Sequence, residues 1–412
     1  MVEIEGYRRS FYPMTWSGPK GYPEDSHGGR CYITGLLGAL RHYGEEDFDF
    51  ADGCSGDGFS FRWCPSYGIA AFNGGEGPFH LIWEKMPAFM GYKARWVEDL
   101  GWEESWKLLK SYVGRGLPVQ VGLNYGLLQP YAAAVSPRHR IAMEKRNWAV
   151  SSWGHHAVVA GFDEELGIVV LYEPNEIPEN ARFEAPIEVF RRAWEEAAQF
   201  EGGEYRPWWG HKPYAGEASL HDGYGPYAMV LIDPERDPDW NKVAAIKATF
   251  RRNLKILRGE YPKPYQSFLN PYQIPLIYTG VKGMARYAEA LRSGELGDVE
   301  GEDGRRIGRF TEATIHNHGA LGRKAASGYL RTVARELERL ALYGAARAVE
   351  AASAGMGRSS ELFKDLCYEE DLKRAGEILA QIAAIEAKVL SRMEEALPTI
   401  ERLETPVPAG VP

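Results

Sequence analysis

The sequence predicts an α+β domain followed by an all-helical one, and three observations carry that reading. Up to about residue 235, short runs rich in β-branched and aromatic residues alternate with helical segments and many Gly/Pro turns. After "DPERDPDW" strand signals nearly vanish and apolar residues recur at helical spacing. The chain also has 412 residues, beyond the size at which a single core usually stops growing. The predicted domains are therefore 1–235 and 236–412.

In the first domain, "CYITGLLGALRHY" (31–43) and "WEESWKLLKSYV" (102–113) are helix candidates. Strand candidates are "PVQVGL" (118–123), "HAVVAGF" (156–162), "GIVVLYE" (167–173) and "YAMVLID" (227–233), each bounded by breakers. "HHAVVAGFDEELGIVVLYEP" reads as a hairpin, two apolar runs joined by a short acidic turn ending in glycine. In the second domain, helical stripes run through Val243, Ile246, Phe250, Leu254 and Leu257, then Leu330, Val333, Ala334, Leu337 and Ala341, then Ile378, Ile382, Ile385, Val389 and Met393. Residues 293–306 form a polar, Gly-rich loop, and "ETPVPAGVP" is an expected frayed tail.

The formal net charge of −9, without a Lys/Arg-rich run, speaks against a nucleic-acid footprint. The N-terminus lacks the apolar core of a signal peptide, and no stretch approaches a membrane span, so a cytoplasmic protein is expected. Four cysteines in a chain this long do not make a disulfide framework. Cys54 and Cys64 lack zinc spacing, and His316 and His318 lack a carboxylate partner at known spacing, so no metal or cofactor is expected. "GCSGDGFSFRW" (53–63) is Gly-rich without being a phosphate loop or a nucleophile elbow.

Cys31 follows a glycine pair and Arg30 and opens the helix carrying Ile33, Leu36, Leu37 and Leu40. A cysteine at a helix N-terminus meets the positive end of the helix dipole, which favours the thiolate. Taken alone, such a cysteine also reads as a small buried hydrophobe. The histidines at 155 and 156 stand 124 and 125 positions downstream at the start of a strand. A cysteine on an early helix, a histidine on a distant strand and a polar orienter on the next strand is the arrangement of papain-like enzymes. Those enzymes place a Gly-aromatic pair after the histidine, the glycine six positions on. Gly161 and Phe162 then select His155 as the base and put His156 on the opposite face, unless a bulge precedes the strand. The third member is Glu173 on the following strand, with Asn175 as the alternative. Six positions before the cysteine, where papain-like enzymes have Gln, stands Asp25, so the backbone N–H of Cys31 is the visible oxyanion donor.

These segments, in order "CYITGLLGALRHYG", "GDGFSF", "GLPVQVGLNYGLLQPY", "GHHAVVAGFD" and "VVLYEPNE", resemble the butirosin biosynthesis protein H family over most of residues 26–190. The resemblance continues more weakly into "GALGRKAASGYLRTVARELE". It implies a papain-like catalytic-type domain before a helical domain, with Cys31 as acyl acceptor, His155 as base and acid, and Glu173 as orienter. Asn124 and Tyr131 in the shared middle segment, with His156 and Asn175, are the candidate binding residues. The family's founding member transfers an acyl group from a carrier-protein thioester to an aminoglycoside amine, which implies a small-molecule amine substrate and an acyl carrier protein as partner. A cytoplasmic cysteine peptidase or amidase using the same residues, or a non-catalytic papain-like binding scaffold, are the alternatives. The apolar stripes of the helical domain fit either a homo-oligomer or a cover over the site.

Overall fold

The computed structural model describes residues 1–10, 30–64, 69–71, 79–137, 140, 154–174, 176, 178–196, 226–260, 278–295, 319–366, 369 and 371–403. In chain order, β1 (Val2–Glu3), α1 (Tyr7–Ser10), α2 (Cys31–His42), α3 (Phe48–Gly53), β2 (Arg62–Cys64), β3 (Ile69–Ala71), α4 (Phe79–Phe89), β4 (Tyr92–Val97), α5 (Trp102–Val113), β5 (Val119–Asn124) and α6 (Gln129–Val135) come first. They are followed by β6 (Gly154–Asp163), β7 (Ile168–Tyr172), α7 (Pro178–Ala181), β8 (Arg182–Pro186), α8 (Ile187–Glu195) and β9 (Met229–Arg236). The remaining elements are α9 (Lys242–Arg258), β10 (Tyr278–Thr279), α10 (Gly280–Arg292), α11 (Leu321–Arg339), α12 (Tyr343–Leu366) and α13 (Leu372–Glu401). The fold is mixed α+β, with an antiparallel sheet and a helical C-terminal region.

Two compact units result, and a single cut at residue 236 does not describe them. The first comprises 1–46, 79–88 and 92–235; the second comprises 47–78, 89–91 and 236–412. The first unit is built on a seven-stranded sheet in the order β4-β9-β5-β6-β7-β8, with β1 added against β6. The expected hairpin is β6–β7, its register running from Val158↔Tyr172 to Asp163↔Ile168 with a bulge between Val159 and Gly161. On its other edge, β6 pairs with β5 from Gly154 to Val159 and then with β1 at Gly161 and Phe162.

Residues directly opposed in an antiparallel pair share a face. Gln120↔Val158 and Gly122↔His156 therefore form one face, and Val121↔Ala157 and Leu123↔His155 the other. Helix α2 covers the first of these, close enough that a Cβ on Gly35 would meet Gln120 Oε1 at 2.2 Å and Val158 at 3.1 Å. Only a glycine permits that approach, and Gln120 Nε2 donates to the Tyr32 carbonyl across it. Elsewhere in the core, α5 and α8 join through ring contacts between Trp102 and Trp194 and between Trp106 and Phe190.

In the second unit, α9 to α13 bury the predicted stripes. Ile385 and Ala341 are the exceptions: Ile385 is only half-buried, and Ala341 lies beyond the end of α11 at Arg339, exposed, with φ +59. The buried ion pair Arg323–Glu386, at 2.9 and 3.2 Å, ties α11 to α13, and the guanidinium stacks on Phe363. The Gly-rich segment belongs here too. A Cβ on Gly53 would run into the Tyr329 ring and one on Gly58 into the Gly322 carbonyl, so these glycines let α3 and the turn after it press onto α11. Arg252 and Asn253 of α9 donate to the carbonyls of Cys54 and Gly53. Strands β10, β2 and β3 form a small separate sheet. No helix of the described residues is long and apolar enough to cross a membrane.

Candidate active site

Helix α2 begins at Cys31 because the Arg30 carbonyl accepts from the N–H groups of Ile33 and Thr34 and from the Thr34 hydroxyl. Its first turn carries no acidic residue, so nothing offsets the positive end of the helix dipole at the thiol. Cys31 precedes Gly35 by four residues, about 6 Å along a helix. On the covered sheet face, His156 precedes Val158 by two, about 6.6 Å along a strand. With Gly35 seated over Val158, Cys31 therefore falls over His156, and its Sγ lies 3.3 Å from His156 Nδ1.

His155 sits on the opposite face, edge-on to Tyr125 at 4.7 Å. Its Nε2 hydrogen-bonds both carboxylate oxygens of Glu173, at 2.8 and 2.9 Å. The Cys31 sulfur still bears on the His155 ring electrostatically, as one of the groups that raise its pKa. Strand alternation predicts that only one histidine faces the thiol, and it is His156 whose Nδ1 lies 3.3 Å from the sulfur. The bulge lies after the histidines, between Val159 and Gly161, so it does not exchange their faces.

The two imidazoles are driven apart electrostatically. Both are 3% exposed, so burial opposes the charged form of each. For His155 this is outweighed by the Glu173 carboxylate and by the Cys31 sulfur, and its pKa is pushed up to about 10. For His156, burial dominates, the neighbouring His155 charge adds to it, and the pKa falls well below the usual histidine value. The two neighbouring imidazoles are thus driven in opposite directions, His155 toward its charged form and His156 toward its neutral form, beside a half-exposed thiol. Titratable partners split in this way have separate acid and base roles open to them.

Glu173 is held where β7 ends. Pro174 cannot continue the ladder, the Glu173 N–H donates to Ala181 O, and the Glu173 carbonyl accepts from Glu176 N–H. Glu176 is itself buried and accepts a 2.5 Å hydrogen bond from Ser136 at the end of α6. The pair bracing this loop, Ser136 and Glu176, had no sequence signal beyond Glu176's nearness to Glu173. Trp83 on α4 was also unforeseen: its ring meets His156 edge-on at 4.6 Å, with Tyr32 at 6.1 Å.

Asn124 is buried at the end of β5, opposite Gly154, and by register shares the His156 face one step further along. Tyr131 is half-buried on α6 and packs against the main core. Asn175, Asp25, His316, His318, the tail 404–412 and most of the expected 293–306 loop lie outside the described residues. Among the described residues, no group of three or more His, Cys, Asp or Glu side chains is arranged to hold a metal ion. No family model and no curated protein matches the chain.

Proposed function

We propose that the first unit is a papain-like acyl-transfer domain, in which Cys31 accepts an acyl group from a thioester and passes it to an amine. The observation that carries this reading is Cys31 at the start of α2, 3.3 Å from His156, next in the strand to a His155 that is hydrogen-bonded to Glu173. The Cys31 thiolate attacks the carbonyl carbon, the carbonyl electrons move onto oxygen, and collapse expels the donor's thiolate, which takes a proton from the His155 imidazolium. The neutral His155 then accepts a proton from the incoming amine as nitrogen attacks the acyl-enzyme and the Cys31 thiolate leaves. Glu173 keeps the His155 ring oriented and offsets its charge through both half-reactions.

The test is intact-mass analysis after incubation with a small acyl thioester, with and without an added primary amine. An adduct on Cys31 that clears only when the amine is present, with amide appearing in step, is the expected result. Clearance at the same rate in water alone would make the domain a hydrolase of the peptidase or amidase type. No adduct on Cys31, with the thiol inert to alkylation as well, would reject cysteine catalysis in favour of a binding scaffold.

A further inference from the structure

His156 has no part in the proton transfers above, although its Nδ1 stands 3.3 Å from the Cys31 sulfur. We propose that His156 is the oxyanion donor of this site: its Nδ1–H hydrogen-bonds the carbonyl oxygen of the group being added to Cys31 as that oxygen takes the negative charge. This rests on the acyl-transfer reading and adds a side-chain donor to the backbone N–H of Cys31.

The geometry fits the task. A thioester carbonyl oxygen is one bond beyond the carbon joined to sulfur, so a donor 3.3 Å from Sγ reaches it by rotation about the Cβ–Sγ bond. The ring is held in place by Trp83 edge-on at 4.6 Å and 76°, with Tyr32 at 6.1 Å and 66°. The cross-strand neighbour on the same face is Gly122, so no β5 side chain stands beside the imidazole there. His155 cannot fill the role, because Glu173 holds its Nε2 and its proton is the one that moves. Burial keeps His156 uncharged, and a neutral N–H stabilises an oxyanion without surrendering its proton to it. The backbone N–H of Cys31 precedes the first helical hydrogen bonds and can serve as a second donor. No atom is gained or lost by His156: the new bond is S–C, the electron pair moves from C=O to O, and the hydrogen bond forms as it arrives.

Two reactions of the same thiol separate this role from any effect on the thiolate itself. Acylation by 4-nitrophenyl acetate develops an oxyanion, whereas alkylation by iodoacetamide displaces iodide at a tetrahedral carbon and develops none. His156→Phe keeps a ring against Trp83 but has no N–H, and should lower the single-turnover acylation rate by roughly 10²–10³-fold, while alkylation, which loses only the Nδ1 contact with the sulfur, falls far less. His156→Asn, whose Nδ2 occupies the place of Nδ1, should recover part of the loss. Should the phenylalanine variant not fold, His156→Leu provides the same comparison. Acylation as fast as in the wild type, or loss of alkylation in equal measure, overturns the proposal. A wild-type protein that alkylates rapidly but is never acylated overturns the acyl-transfer reading itself, and this assignment with it.

Discussion

The spacing of α2 over the sheet can be tested at Gly35. An alanine Cβ there would stand 2.2 Å from Gln120 Oε1, 3.0 Å from its Cδ and 3.1 Å from Val158 Cγ2. The end of a flexible side chain ordinarily swings aside, but Gln120 is buried and its Nε2 is committed to Tyr32 O at 3.0 Å. The alanine must therefore break that hydrogen bond or lift the helix. The lost bond costs about 1 kcal/mol and overpacking about 1–3 kcal/mol, while alanine's better helix propensity offsets about 1 kcal/mol. Gly35→Ala is expected to destabilise the protein by about 1–3 kcal/mol on this reckoning. In a Gln120→Ala background only the 3.1 Å approach to Val158 Cγ2 remains, and the same substitution should be close to neutral, with alanine's helix propensity of about 1 kcal/mol offsetting that contact. The coupling of about 2 kcal/mol well exceeds the scatter of about 0.5 kcal/mol for independent sites. Urea unfolding of the four proteins measures it, and the Cys31 alkylation rate reports whether the helix has shifted, since Cys31 lies one turn from Gly35. An equal effect of alanine in both backgrounds would refute the reasoning.

Three further outcomes can be checked. His155 has a folded pKa raised from 6.5 to about 10, so its contribution to stability is complete below pH 6.5, declines as pH rises from there, and is gone above about pH 10. Glu173→Gln removes the largest favourable cause of that shift, so the alkaline fall in the urea midpoint should flatten; parallel profiles for the two proteins would contradict the pairing. Alkylation of Cys31 is expected to slow in His155→Ala, which removes a positive charge near the sulfur, and an unchanged rate in that variant would remove His155 from the site. Glu386→Gln leaves the fully buried Arg323 guanidinium without its counter-charge and should cost about 3–5 kcal/mol, most of it recovered by replacing both residues with Met and Leu. A cost under about 1 kcal/mol, measured by urea unfolding, would mean that Arg323 finds other compensation.

The parts of the fold that could be read in advance are those written in local periodicity. The β-branched runs of β6 and β7, the apolar face of α2 and the bounds of α5 are visible because each element's own residues declare which side is buried. What could not be read depends on partners far away in sequence. Residues 47–64 carry no clear period, and their glycines make sense only beside Tyr329 and Gly322. The site divides in the same way. Cys31 and Glu173, with Asn175 as alternative, are expected from their places in the chain, and His155 from Gly161 six positions on in the same strand. The approach of His156 to the sulfur depends on where α2 lands on the sheet, which Gly35 and Gln120 decide. Alternation says which face a side chain takes; it does not say what stands at the end of the strand.

The interleaving of the second unit has a consequence for how the chain is made. Gly58 leaves the ribosome 264 residues before Gly322, the carbonyl it packs against. At 5–20 residues per second the wait is on the order of tens of seconds. For that time Phe50 and Phe59 lack the Tyr329 ring that stacks on one and meets the other edge-on. A chain ending at residue 235 would keep those rings permanently without their cover, and a fragment starting at 236 would lack the segment that fills the groove on α11. The two halves of the sequence are thus not interchangeable modules: the helical unit closes last, over a piece of chain synthesised near the beginning.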